Sequence, residues 1–245
     1  MDQKVACVIP ARYNSSRFPG KLLAPARGKT VLQRSYEAAR SAFAQNEVFI
    51  ATDDERIAAH ARQIGARVVM TSPQCASGTD RIAEAVQTTA SLQQFEWILN
   101  LQGDHPCTSR ETIISVVDLA IRSGAPLTTA ATPLRHRDDF LSPHIVKVVL
   151  NEQGRALYFS RAPIPYTRPE SPLEALQHVG IYCYRKEFLL EFSRKAQSPL
   201  QLKEDLEQLR ALEMGAWIAV ALIEERVFGV DTPPDLAKLE EVLCQ

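Results

Sequence analysis

Three cations, two serines and a glycine fall close together near the start of the chain. The run is Pro10-Ala-Arg-Tyr-Asn-Ser-Ser-Arg-Phe-Pro-Gly-Lys21, with Arg12, Arg17, Lys21, Ser15, Ser16 and Gly20 as its polar and flexible members. It follows an apolar stretch, Val5 to Ile9, that reads as a buried strand. A loop of that content at a strand's C-terminal end can wrap a polyphosphate. Backbone N–H groups and hydroxyls supply directional donors, and the cations neutralise charge. In open α/β sheets, ligands sit outside the carboxyl ends of the strands. The alternative is a solvated connection, since many βα loops carry Gly, Pro and a few cations. The run has neither the Walker A spacing nor G-x-G-x-x-G, so the ordinary P-loop and dinucleotide readings lose their support.

Two carboxylates follow far apart in sequence. Leu101-Gln102-Gly103-Asp104 puts Asp104 just past an apolar strand, with a glycine that permits close approach to backbone. An Asp there can hold Mg²⁺ against phosphate oxygens, or it can cap a turn. Gly229-Val-Asp231-Thr232 offers a second carboxylate beside a helix start, which alone reads as a cap. Together the two could meet on one metal. Ser77-Gly-Thr-Asp-Arg81 begins a helix whose free N–H groups suit an anion or a base edge, or Ser77 or Thr79 simply caps it. Arg161 could clamp a carboxylate bidentately, or form a surface ion pair. His178 begins a strand, where a structural hydrogen bond competes with a ligand role. Glu207, Gln208 and Arg210 make a polar strip that would ordinarily be a helix's solvated face. Lys147, among Val and Leu, reads as a sheet-face lysine reaching water.

The elements that must position these groups alternate. Strands at Val5–Pro10, Val48–Ala51, Arg67–Met70, Trp97–Leu101 and Leu127–Ala131 are separated by helical periodicities, the first over Val31–Ala44. That order implies a mainly parallel sheet covered on both faces. The rhythm breaks at a hairpin flanking Asn151–Gly154 and a Pro-rich stretch from Pro163 to Pro172. The region 135–200 therefore reads as an inserted capping or dimerisation subdomain within a single domain of residues 1–245. A helix is expected over Leu202–Met214, a buried strand over Trp217–Leu222, and a last helix from Thr232-Pro-Pro-Asp235.

With 245 residues, 45% of them apolar, the chain suits one large α/β domain. A net charge of −1 gives no general attraction to nucleic acid or membrane. The five cysteines, Cys7, Cys75, Cys107, Cys183 and Cys244, lack metal-ligand spacing and suggest neither a zinc site nor a disulfide framework. A reducing cytosol is the expected home. The N-terminal apolar run is too short for a signal sequence, and the longest run, Ala216 to Ile223, is too short to span a bilayer.

Taken in order, the motifs resemble a known family. Pro10-Ala-Arg12-Tyr…Arg17-Phe-Pro-Gly-Lys21, Ala51-Thr-Asp-Asp54, Ser77-Gly-Thr-Asp-Arg81, Asn100-Leu-Gln-Gly-Asp104, Val146-Lys-Val-Val, Ala156-Leu-Tyr-Phe-Ser-Arg161, His178-Val-Gly-Ile-Tyr182, Ser198-Pro-Leu, Leu206-Glu-Gln-Leu-Arg210 and Gly229-Val-Asp-Thr-Pro233 resemble the 3-deoxy-manno-octulosonate (KDO) cytidylyltransferases over nearly the whole chain. The resemblance implies a Rossmann-like nucleotidyltransferase fold with helices on both faces of the sheet. It implies a cytoplasmic homodimer that makes CMP-KDO and pyrophosphate from CTP and KDO, with Mg²⁺, for lipopolysaccharide biosynthesis.

By motif position, Arg12, Arg17 and Lys21 would hold the triphosphate. Ala11, Ser77, Gly78 and Gln102 would lie near the cytidine, and Asp104 and Asp231 would ligate magnesium. Arg161, His178, Tyr182, Glu207 and Gln208 would surround the sugar acid. Attack of the anomeric hydroxyl on the α-phosphorus needs positioning and charge stabilisation more than covalent help, with Arg12, Lys21 and the two aspartates as its catalytic groups. The chain departs from the family at His105, Gln201 and Pro234, where Glu is usual. The first two losses put metal affinity and pH optimum in question. The rival readings are a cytidylyltransferase for another acidic sugar and a non-catalytic nucleotide-binding protein.

Overall fold

A computed structural model describes residues 4–15, 17–168, 171–225 and 227–243. Ser16 and Cys244 lie outside the described residues. The chain divides into two compact units, Met1–Ile113 with Val227–Gln245, and Ile114–Arg226. The segment 135–200 falls inside the second.

The first unit runs β1 (Val5–Ala11), a small hairpin of β2 (Pro25–Ala26) and β3 (Lys29–Thr30), α1 (Val31–Ala42), β4 (Val48–Thr52), α2 (Glu55–Gln63), β5 (Arg67–Met70), α3 (Gly78–Thr88), the single turn α4 (Ala90–Gln93) and β6 (Trp97–Asn100). Its strands lie in the order β6-β1-β4-β5, all parallel. Every residue of β1 is buried, which is why this strand reads as an unbroken apolar run rather than an alternating one. The register pairs Ala11 with Thr52 and Val8 with Asn100. The carboxyl ends of β1, β4 and β6 therefore open at one edge, and the residues just beyond them emerge together.

Local chemistry sets the helix starts. Thr30 accepts from the Gln33 N–H, and Asp54 from the Arg56 N–H. Ser77 and Asp80 form a reciprocal capping box at α3. Each cap contributes about 1 kcal/mol.

Helix α5 (Arg110–Ser123) carries the division between the units. The second unit continues with β7 (Leu127–Pro133), α6 (Arg137–Leu141), β8 (Lys147–Leu150), β9 (Ala156–Ser160), β10 (Leu176–Arg185), α7 (Lys186–Arg194), α8 (Pro199–Glu204), α9 (Gln208–Glu213) and β11 (Ile218–Leu222). Its strand order is β11-β7-β10-β8-β9, with only β11 and β7 parallel. The expected hairpin is β8–β9. Asn151 Oδ1 accepts from the N–H groups of Gln153 and Arg155, which closes the turn. The chain ends in α10 (Pro233–Val242), where Asp235 accepts from the Thr232 N–H and hydroxyl. No helix among the described residues is long and apolar enough to cross a membrane.

Two expectations are corrected. The helix expected over Leu202–Met214 is two short helices, α8 and α9, broken at Asp205, which sits in the left-handed region at φ 52°. Leu206 and Leu209 are buried on either side of the break's exit, so apolar spacing continues through it and hides it. The carbonyls of Glu204 and Asp205 accept instead from the Arg161 guanidinium, a partner remote in sequence. The second correction is Lys147. It is not a lysine reaching water from a sheet face; it is fully buried, and its ammonium donates to main-chain carbonyls.

Candidate active site

The cationic loop leaves β1 at Ala11 and folds around Tyr13. The Gly20 N–H donates to the Tyr13 carbonyl at 2.9 Å, and the Arg56 guanidinium stacks 3.3 Å from the Tyr13 ring centroid. Gly20 sits at φ 71° with the Tyr13 ring close against it, so a side chain there would be strained and crowded. This turn delivers Lys21 inward. Its Nζ lies 2.6 Å from Asp104 Oδ2 and 2.9 Å from Asp231 Oδ1. Arg17 meets the other Asp231 oxygen at 3.0 Å.

Backbone contacts bring the two aspartates together. The Val230 N–H donates to the Asp104 carbonyl at 2.9 Å. Ser35 Oγ donates to the Gly103 carbonyl at 2.8 Å. A Cβ on Gly103 would come within 3.1 Å of the Pro10 carbonyl oxygen, so a side chain there would press the Asp104 turn back from β1.

The electrostatics follow from burial and pairing. Burial alone would push the Lys21 ammonium down, but Asp104 and then Asp231 outweigh it and hold it above its ordinary value. Burial works to raise the Asp104 carboxyl, and the neighbouring His105 and Lys21 overcome it and hold it below the usual range. Burial pushes the His105 ring below its ordinary value against the pull of Asp104. Its Nε2 is 3.9 Å from Asp104 Oδ1, and its buried Nδ1 has no hydrogen-bond partner. Gly229 packs on this ring, since a Cβ there would be 3.0 Å from the imidazole.

A cavity of about 330 Å³ opens here. Ala11, Arg12, Arg17 and Lys21 line it from the loop, Gly78 from the start of α3, Gln102 from just past β6, and Asp104 and Asp231 at the carboxylate pair. Gln102 Nε2 donates to Asn100 Oδ1 at 2.9 Å. Ser77 is not among the lining residues; its hydroxyl accepts from the Asp80 N–H as the α3 cap.

Sequence reasoning passed over Arg81. It is 2% exposed yet lines the cavity, with Nη1 donating to Thr71 Oγ1 at 2.6 Å and Nη2 3.2 Å from Asp53 Oδ2. The signal lay in the quoted motifs themselves, which place Asp53 just past β4 and Arg81 in the first turn of α3.

The residues expected around a sugar acid fall in the second unit. His178 Nε2 is 2.9 Å from the Thr129 hydroxyl, and its ring lies 5.0 Å from Phe159 and 5.6 Å from Tyr182. The Tyr182 hydroxyl lies 3.4 Å from Gln208 Oε1, and burial, with Glu207 nearby, pushes that phenol well up. Glu207 stands at the start of α9. Gln208 and Arg210 are buried, so the strip is not a solvated face. The Arg161 guanidinium is spent largely on main-chain carbonyls of Glu204, Pro143 and Asp205. Gln201 is buried with an unpartnered Oε1.

Comparison with known proteins places this geometry. The cytidylyltransferase family model matches residues 6–223. The 3-deoxy-manno-octulosonate cytidylyltransferase of Protochlamydia amoebophila is 44% identical, covering 100% of this chain and 96% of its own. That of Thermodesulfovibrio yellowstonii is 45% identical over 97% of each chain. A solved CMP:2-keto-3-deoxy-manno-octonic acid synthetase complexed with CTP superposes with a TM-score of 0.91 at 36% identity, covering 99% of both chains. The parallel first unit, the cation-lined cavity and these full-length likenesses agree that the chain belongs to the cytidylyltransferase family, among its 3-deoxy-manno-octulosonate members.

Proposed function

We propose that the chain transfers CMP from CTP to the anomeric hydroxyl of KDO, releasing pyrophosphate. The observation that carries this reading is the convergence of Asp104 and Asp231 on a single cation, the Lys21 ammonium, at the mouth of a basic loop. Two carboxylates that share an ammonium can share a divalent ion. An all-oxygen donor pair beside a phosphate-binding loop suits Mg²⁺, which takes one or two carboxylates and completes its shell with water and phosphate. When bound there, magnesium neutralises phosphoryl oxygens and lowers the pKa of an attacking hydroxyl.

The chain's own groups supply the rest. Arg12 and Arg17 are exposed cations beside the cavity and bind the β- and γ-phosphates, the charge that leaves. With Asp104 and Asp231 holding a metal, Lys21, which now pairs with both, would be free to donate to a phosphate oxygen. Gln102 and Gly78 border the nucleoside, and Ala11 contributes backbone. Ser77 acts through the N-terminus of α3 rather than its hydroxyl. In the second unit, buried His178 and Gln208 and half-buried Tyr182 and Glu207 form a polar set that fits a polyhydroxylated acid, with Arg161 shaping it. The reading places the protein in the cytoplasm as a homodimer serving lipopolysaccharide synthesis, with no nucleic-acid or membrane partner.

The test is pyrophosphate release from CTP and magnesium, with and without KDO. Release that requires both supports the reading. Release only with another acidic sugar overturns the acceptor, and silence with every acceptor in a folded, CTP-binding protein overturns catalysis.

A further inference from the structure

Lys147 is 0% exposed, and its three ammonium donors have three main-chain acceptors: Ser142 O at 2.9 Å, Ile145 O at 2.6 Å and Arg161 O at 2.7 Å. One buried side chain thus ties the turn before β8 to the residue that ends the β8–β9 hairpin. Arg161 passes the constraint on. Its N–H donates to Glu204 Oε2 at 2.9 Å, its Nε to Glu204 O at 2.8 Å and its Nη2 to Asp205 O at 3.2 Å. Glu204 Oε1 also accepts from Ser160 Oγ at 2.7 Å. Glu204 and Asp205 are the left-handed corner that breaks α8 from α9. Glu207 and Gln208 follow directly from it, and Gln208 meets Tyr182.

We propose that Lys147 is a positioning residue for the acceptor sugar: it touches no ligand, but holds Arg161 and, with Glu204, the corner that delivers Glu207 and Gln208. The proposal rests on the reading of that polar set as the sugar site. A buried ammonium given wholly to carbonyls of irregular backbone is a geometric device. It fixes loop segments that have no ladder partner of their own, whereas a regular strand needs no such help. Removing it takes the ammonium from three carbonyls, of which Ser142 O keeps only the Ile145 N–H at 3.3 Å, and frees the corner to drift; a displacement on the order of 1 Å is enough to weaken a positioned site.

The experiment measures KM for KDO and for CTP separately in Lys147→Met, which keeps the length of the stem and removes the donors. The KDO KM is expected to rise by roughly tenfold or more, with the CTP KM within about twofold of wild type. Glu204→Gln keeps Lys147 and weakens the same corner, and it is expected to show the same one-sided change. It decides the question if Lys147→Met does not fold. Equal shifts in both KM values, or a fall in melting temperature with the KDO KM unchanged, would show a staple for general stability and overturn the proposal. A wild-type protein with no KDO-dependent release would remove the functional reading and this proposal with it. An active wild type beside variants of unchanged KDO KM would remove this proposal alone.

Discussion

Lys21 shows how one side chain can serve two partners in turn. It stands where a shared cation belongs, with 11% of its side chain exposed, between one carboxylate that is mostly covered and one that is nearly half exposed. Lys21→Met leaves Asp104 and Asp231 facing each other without their shared cation, with Arg17 remaining only on Asp231 Oδ2. The expected cost is about 1–2 kcal/mol, less than for a fully buried pair because water reaches Asp231. Millimolar magnesium should then raise the melting temperature of the variant more than that of wild type, without nucleotide. Equal responses of the two proteins would show that the carboxylates do not share a cation site. Asp104→Asn and Asp231→Asn are each expected to lower kcat by roughly a hundredfold or more while the thermal transition stays cooperative. Near-wild-type turnover in either would refute its role as a metal ligand.

At the scale of elements, backbone approach and capping decide the site. Gly103→Ala must move the Asp104 turn away from the Pro10 carbonyl, because the added Cβ would lie 3.1 Å from it. The expected outcome is a loss of about 1–3 kcal/mol in urea unfolding and a raised KM for CTP. Unchanged CTP binding would mean that the turn relaxes without disturbing the cavity.

The α8–α9 corner has a pH signature. Burial works to raise the Glu204 carboxyl, but the Arg161 N–H, the Ser160 hydroxyl and Tyr158 hold it below its ordinary 4.5. A depressed folded-state value means the unfolded chain binds more protons on the acid side. The stabilisation is therefore complete above 4.5 and is lost as pH falls through the depressed value. Glu204→Gln should be less stable than wild type at neutral pH, and the gap should close in acid. A gap independent of pH would assign the loss to packing instead.

At the scale of the whole molecule, the expected assembly is a dimer of the 27.3 kDa chain. Leu157 and Leu222, 58% and 64% exposed, are large apolar side chains on β9 and at the end of β11. Such groups suit an interface better than water when they cluster. Sedimentation should give about twice the chain mass, and Leu157→Asp with Leu222→Asp should shift it toward one. A monomeric wild type would end the dimer assignment.

Much of this was legible in the chain itself, because the signals are local. Continuous apolar runs mark strands buried on both faces, as in β1. Ser77 with Asp80, and Thr232 with Asp235, mark helix starts by side-chain reach alone. The order of the motifs carried the family. Only the tertiary structure decided what depends on remote partners. The break at Asp205 exists because Arg161 takes the carbonyls there, and no local pattern records that. Lys147 looked like a surface lysine because its Val and Leu neighbours say nothing about three carbonyls supplied by residues outside β8. Lys21 looked like a phosphate ligand, and its place between two aspartates is set by a backbone contact from Val230 to Asp104. Periodicity reports which face of an element is covered. It does not report what charge or carbonyl covers it, and in this protein those partners make the site.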